Sequence, residues 1–514
     1  MTASISMVGI NSTYFMPGVF VSVNLGAGLS AGVEGPISAL LMGNKLSTAP
    51  ASTDGYIYGP DVEGFTVSSE SDVIATFGQG SELHRGFRKF IRTNKQTPVY
   101  FLAVTESVGS AATLVATFAT TATANGSVRV YVGDDFVDAA VSLGDNATAV
   151  GTSVAAAINN KQDWPVTAGA SSGVVTLTAK NKGLRGNKIR AALKVRGSGV
   201  GTTSSAQNFA NMSGGTTADS WTSALATVLP KKYRYIVAAC EDATSNGNGG
   251  LLAAQVGSQA LPTNDIRQRL VLGNVDSIGT ANSFAKSLNN PRAEVVWQVN
   301  SNLTPFELAS AGAAAYSLGE SQSVPLLNWD NLGTRPDTKA FWSVSAPFDG
   351  SAPSKADINS ALISGVSPVA AASNGSSYVV SRVTSYCQDP STMNLDLRVR
   401  DGHIITVMDL GADLIQSACA LSFGNKAIAD VPAKGAKSPG PGVVTVDIVK
   451  SVIQNVIKQM GENGLLDNAA ASIAAVEIVR DPIVTSRVSA RVQLVPVPVL
   501  HQICVNIDQV QSIQ

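Results

Sequence analysis

Charge is what this chain has least of. Of its 514 residues only 14% are Asp, Glu, Lys or Arg, against about a quarter in ordinary soluble domains. The 36 basic and 37 acidic side chains nearly cancel, to a net charge of −1. That balance excludes the basic footprint of a nucleic-acid binder, so no nucleic-acid partner is expected. Cysteine is scarce as well. Cys240, Cys387, Cys419 and Cys504 stand in no C-x-x-C or zinc-like spacing. They predict neither a disulfide framework nor a zinc site, and read as reduced thiols, mostly filling a core. His84, His403 and His501 lie far apart, and no H-E-x-x-H occurs. No apolar run reaches about 18 residues, so no membrane span is expected. The opening MTASISMVGINSTYF lacks Lys, Arg and an apolar stretch, and predicts no secretory signal.

Catalytic motifs are missing or misplaced. There is no phosphate loop of the G-x-x-x-x-G-K-[ST] kind, and Gly26-Ala27-Gly28 to Gly32 misses the dinucleotide spacing by one residue. Gly169-Ala170-Ser171-Ser172-Gly173 satisfies G-x-S-x-G. A nucleophile elbow needs a helix after the serine, whereas Val174 to Ala179 reads as a strand, so a hairpin turn is predicted. Asp134, Asp135 and Asp138 read as a polar turn. No catalytic residue, metal site or cofactor is expected, and the chain is not read as an enzyme.

What is present is apolar: 44% of the residues are hydrophobic. At roughly 150 residues per domain the length suggests about three domains. A large surface so poor in charge gives a free monomer little colloidal stability. Much of that surface is therefore expected to be covered by other subunits.

The order of elements predicts a multidomain α/β (α+β) protein, with helix-covered mixed sheets, an inserted mostly-β domain and extended N- and C-terminal strand arms. Residues 1–25 read as an N-terminal arm, in which Val19, Val21, Val23 and Leu25 alternate with polar or small residues after the Met16-Pro17-Gly18 turn. Residues 26–104 read as the first part of an α/β domain. Strands are predicted over 37–42 and 99–104, and helices near 71–77 and 83–91.

Residues 105–215, rich in Thr, Ala, Gly and Val, read as the inserted domain. Asn125-Gly126 predicts a hairpin between strands at 114–121 and 128–132. Residues 216–350 resume the α/β pattern, with strands at 233–240, 270–272 and 294–299. A helix opens at Thr304-Pro305-Phe306-Glu307, with Thr as N-cap, Pro first and Glu three residues on. Residues 351–495 read as a C-terminal domain with a helix at 355–363, a strand over 378–386 and an apolar helix stripe from Val449 to Met460. Val488, Ala490, Val492 and Leu494 then alternate as a long half-buried strand. Residues 496–514 read as a second arm. Pro496 and Pro498 break the strand, and Val499, His501, Ile503, Val505 and Ile507 resume the alternation.

Each arm is a strand without an evident partner. An unpaired strand edge is normally covered or completed by another chain. Head-to-tail exchange of such arms builds rings or open helices.

The Met16-Pro17-Gly18-Val19-Phe20-Val21 opening resembles that of contractile phage tail sheath proteins. Gly183-Leu184-Arg185-Gly186-Asn187 and the closing Ser213-Gly214-Gly215-Thr216 are similar to the outward domain of that family. Ser364 to Pro368 with Tyr378 to Tyr386 resembles the C-terminal region of the Mu-like myophage sheaths. The resemblance implies stacked hexameric rings in a helical polymer around a tail tube, built on a baseplate and ended by tail terminator or collar proteins. It implies contraction that drives the tube through the host envelope, with no nucleic-acid or membrane partner. It also implies assembly in the host cytoplasm into a virion tail. It makes Val19, Val21, Val23, Val499, Ile503, Val505 and Ile507 the exchanged strands, and Val488, Val492 and Leu494 the accepting sheet. Lys434, Lys437, Lys450 and Lys458 become candidates for contact with the tube. An R-type bacteriocin or type VI-like sheath shares these features. A surface adhesin with an Ig-like module would need an export signal, and an α/β enzyme a defined polar pocket.

Overall fold

The computed structural model describes residues 37–49, 54–197, 199–200, 205–228, 232–238, 240, 242, 247–322, 344–371, 377–429, 442–498 and 504. It is a mixed α/β protein.

The chain enters through β1 (Ala39–Gly43), every residue of which is buried, and the short β2 (Ile57–Tyr58). Helix α1 (Glu70–Phe77) is closed by a capping box between Ser69 and Asp72, and α2 (Glu82–Thr93) is capped by Ser81. Strand β3 (Val99–Ala103) then runs parallel beside β1. These strands read as continuous apolar runs because both faces of a parallel sheet are covered.

The insert follows: β4 (Ala111–Thr117), β5 (Gly126–Val132), β6 (Asp135–Val141), α3 (Ala147–Asn160), β7 (Val166–Ser171), β8 (Val174–Lys182), β9 (Arg190–Arg196) and β10 (Ala210–Asn211). They form two antiparallel sheets, β10-β9-β5-β6 and β4-β8-β7, around a separate apolar core. The Ser172-Gly173 turn does join a hairpin, with φ of 48° and 82° at its two loop residues. The hairpin expected at Asn125-Gly126 is not there. β4 pairs with β8, and β5 makes its hairpin with β6 instead. Residues 118–125 are held by other neighbours: Phe118 N–H bonds to Gly173 O, and Thr123 N–H to Gly199 O. Gly126 is glycine because a Cβ there would meet the Arg196 carbonyl oxygen at 2.6 Å.

The chain returns through α4 (Thr222–Val228), β11 (Tyr235–Ala238), α5 (Asn248–Gln259), β12 (Arg269–Asn274), α6 (Ile278–Leu288), β13 (Ala293–Trp297), α7 (Pro305–Gln322), α8 (Lys355–Ile363), β14 (Ser367–Ala371) and β15 (Ser377–Val379). With the opening strands these build one eight-stranded sheet, ordered β15-β14-β13-β12-β11-β1-β3-β2. It is parallel except for the edge strands β2 and β15. One apolar core lies under α1, α2 and α7, and a second under α4, α5, α6 and α8.

The expected cap of α7 is realised. Glu307 Oε2 accepts from the Thr304 N–H at 2.9 Å and from its hydroxyl at 2.8 Å. The strand expected over 378–386 ends at Val379, because Arg382 turns inward and the Val383 and Thr384 N–H groups go to Ser367 Oγ and Arg400 O.

Gly273 marks the tightest approach of helix to sheet. A Cβ there would stand 1.9 Å from the Pro305 carbonyl oxygen. Gly273→Ala is expected to destabilise the protein by about 1–3 kcal/mol, as overpacking does, read as a lower midpoint in urea.

The last unit consists of α9 (Gly402–Phe423), β16 (Ala427–Ala429), β17 (Val443–Thr445), α10 (Val446–Glu462), α11 (Ala469–Ala474), β18 (Glu477–Arg480) and β19 (Val488–Arg491). Its core joins α9, α10 and the β18–β19 pair. α9 is long and apolar enough to cross a membrane by length and composition. More than half of that window is buried inside the protein, and Asp409 and Asp413 are ion-paired on it.

Candidate assembly site

β18 and β19 pair antiparallel, Glu477 opposite Arg491, Ile478 opposite Ala490, Val479 opposite Ser489 and Arg480 opposite Val488. The loop between them is wound on Asp481, whose Oδ1 accepts the N–H groups of Ile483 (2.8 Å) and Val484 (2.9 Å). Those bonds hold its carboxyl below the usual range. Among the described residues no third strand joins this pair. Both outer edges therefore present backbone donors and acceptors to a further strand.

The long strand expected through Leu494 ends at Arg491, so Val492 and Leu494 lie beyond the ladder. Ala490 and Val492 pack on the C-terminal core, and Leu494 is buried in it. Val488 is half-buried. These side chains anchor the pair from beneath, so what it can offer a partner is its backbone edges.

The chain's exit from this unit is pinned. Pro496 bridges Leu466, and Asp467 N–H bonds to Val495 O at 2.9 Å. Val497 N–H bonds to Leu465 O at 3.1 Å, and the buried His403 places Nε2 3.1 Å from Val497 O. Val19, Val21, Val23, Val499, Ile503, Val505 and Ile507 lie outside the described residues, as do Lys434 and Lys437. Lys450 is half-buried on α10. Lys458 is exposed and 3.7 Å from Glu462, one helical turn on, a pair worth about 0.3–0.5 kcal/mol.

A buried ionic network ties this unit to the sheet. Arg292 grips Asp409 of α9 with two bonds, of 2.9 and 2.7 Å. Arg234 reaches the same carboxylate at 3.3 Å and Glu320 at 2.6 Å. Arg269 and Arg382 share Glu294, each at 2.8 Å. Arg269 also bonds Gly402 O at 2.9 Å and the Thr406 hydroxyl, both on α9. Arg267 pairs with Asp413. Burial pushes the Asp409 carboxyl up, but Arg292 and Arg234 outweigh it and hold the group well below the carboxylate range. Glu320 is likewise lowered, by Arg234 and Arg269 against burial. Sequence reasoning missed this network. Its one legible signal is a charge inside otherwise apolar stretches, as at Arg269 and Glu294, where an unpaired ion would be costly.

No family model matches the chain. Its sequence is similar to that of a phage tail sheath protein. Over 162 residues it is 30% identical to the Mu-like prophage FluMu tail sheath protein of Haemophilus influenzae, a match covering 30% of this chain and 32% of that one. The match thus spans about a third of the relative's length. Among solved structures, a sheath tail protein from Desulfitobacterium hafniense is similar at a TM-score of 0.43 and 13% identity, over 93% of this chain and all of that one. A chain of the anti-feeding prophage baseplate gives 0.45 and 11%, over 97% of this chain and all of that one.

Proposed function

We propose that the protein is the structural subunit of a contractile tail sheath and not an enzyme. The sequence likeness to a Mu-like tail sheath protein carries this reading, and the open-edged β18–β19 pair supports it. Subunits stack as hexameric rings around a tail tube. Residues 1–25 of one copy, and the part of its 496–514 arm beyond the pinned Pro496 and Val497, add strands to the C-terminal unit of neighbours by β-addition. Lys450 and Lys458, with Lys434 and Lys437, face the tube. The polymer ends on baseplate and terminator or collar proteins and belongs to a virion tail assembled in the host cytoplasm. On contraction it drives the tube through the host envelope, drawing on a conformational difference held behind a kinetic barrier. The purified protein is expected to form rings or hollow striated tubes in negative-stain microscopy. Monodisperse particles at every concentration and salt would end this reading.

A further inference from the structure

We propose that the insert, residues 105–220, is a hinged module latched onto the sheet by ion pairs, with Arg185 as its bolt. The inference concerns the subunit alone and does not need the assembly reading.

The insert's core shares no residue with the two cores of the sheet. What joins them is mostly charge. The turn over Leu184–Lys188 carries Arg185 to the C-terminal end of the sheet, near β1, where the strand order reverses. Open α/β sheets bind ligands in that crevice. Here that crevice is a cavity of about 90 Å³, lined by Asn44, Glu82, Arg185, Asn274 and Asp276 among others. Arg185 occupies it, pairing with Glu82 on α2 and, at 2.5 Å, with Asp219 on the return segment. Its guanidinium also lies 5.2 Å from the Trp221 ring. Burial pushes the Glu82 carboxyl above its ordinary range, and the Arg185 guanidinium draws it only part of the way back.

Around this bolt lie weaker ties. Arg88 meets Asp163 at 2.6 Å and Lys188 meets Asp276 at 2.6 Å, all four side chains roughly a quarter exposed. Lys89 pairs with Asp134, and Arg190 with Asp349. A second cleft of about 340 Å³ opens between α2 and the insert, walled by Arg88, Lys89, Asp134, Asp163 and Arg190. A polar cleft of that size holds water. The aromatic contacts across the boundary are those of Phe348 with Tyr131 (5.3 Å) and Phe209 (5.9 Å).

The two linking segments run side by side. Thr105 bridges Ser220, and Ser107 N–H bonds to Asp219 Oδ1 at 2.8 Å. Paired linkers and a boundary tied largely by ion pairs let the module move as a body.

The test is amide hydrogen exchange on the full chain in 50 mM and 1 M NaCl, with Arg185→Gln and the Arg88→Gln/Lys188→Gln double variant at low salt. Salt at 1 M cuts the screening length to about 3 Å, so amides of Ser107 and Ser220 should exchange roughly tenfold faster there, with β1, β5, β8 and β12 unchanged. Both variants should show the same pattern without salt. Should Arg185→Gln fail to fold, the double variant, which touches only partly exposed pairs, still decides. Unchanged linker amides in salt and in the double variant would overturn the proposal. So would loss of protection in β5 and β8 in step with the linkers.

Discussion

Deleting residues 1–25, or residues 499–514, is expected to abolish polymer formation while leaving the subunit folded. Among the described residues the apolar cores draw on positions from Ile37 to Leu494, and these are expected to hold together without either arm. The cut at 499 also spares the Pro496 and Val497 contacts with Leu466 and Leu465. On the proposed reading, what each deletion removes is an exchanged strand. An arm of four or five ladder bonds at about 1 kcal/mol each is weak alone. In a lattice the neighbours are already close, so the arms act together at high effective concentration. Loss of either set should therefore act as a threshold. Sedimentation should show one slow species, with circular dichroism and urea midpoint like those of the parent. Wild-type tubes from both deletions would refute strand exchange. A milder version places Pro at Val21 or Val505, which removes one ladder donor and should raise the concentration needed for assembly.

The sequence was legible where one local rule decides the outcome. β1, β3, β11, β12 and β13 show as short apolar runs because both faces of the sheet are covered. The start of α7 is written in Thr304, whose partner Glu307 closes the cap. The Ser172-Gly173 turn needs two residues at positive φ, and the chain supplies them.

Reading failed where distant partners decide. Asn125-Gly126 is a strong hairpin signal, yet β4 and β8, about 60 positions apart, outcompete it. α9 carries no side-chain cap, since Asp401 makes no such bond, and its buried positions run almost around the helix, so no stripe announces it. The network at Asp409 is invisible for the same reason: its arginines are scattered along the chain, Arg269 on β12 and Arg234, Arg292 and Arg382 in loops beside other strands. The alternation over Val488, Ala490, Val492 and Leu494 reads as one long strand, but β19 ends at Arg491, so Val492 and Leu494 pack on the C-terminal core beyond the ladder. Which contacts end a strand is set by the distant α9 and α10, not by its own pattern.

Asp409→Asn should be among the most damaging single changes in the chain. It keeps the side chain's shape but leaves Arg292 buried without its charge partner. Removing one member of a buried pair typically costs about 3–5 kcal/mol. Arg234 retains Glu320, so the loss concentrates on Arg292, whose side chain is 3% exposed. The pH dependence separates this mechanism from mere packing loss. Asp409, Glu320 and Glu307 all have carboxyls held below their ordinary range in the folded protein. Groups lowered in this way stabilise the fold fully above their unfolded pKa of about 4, and that stability is lost as pH falls toward the folded value. The parent should thus weaken steeply below about pH 4 in urea titrations, while Asp409→Asn starts lower and falls less steeply. Replacing both partners, Asp409→Leu with Arg292→Met, should recover much of the loss, because no unpaired ion then remains. A double variant as unstable as Asp409→Asn, with the parent's acid slope, would show that α9 is held by shape and not by charge.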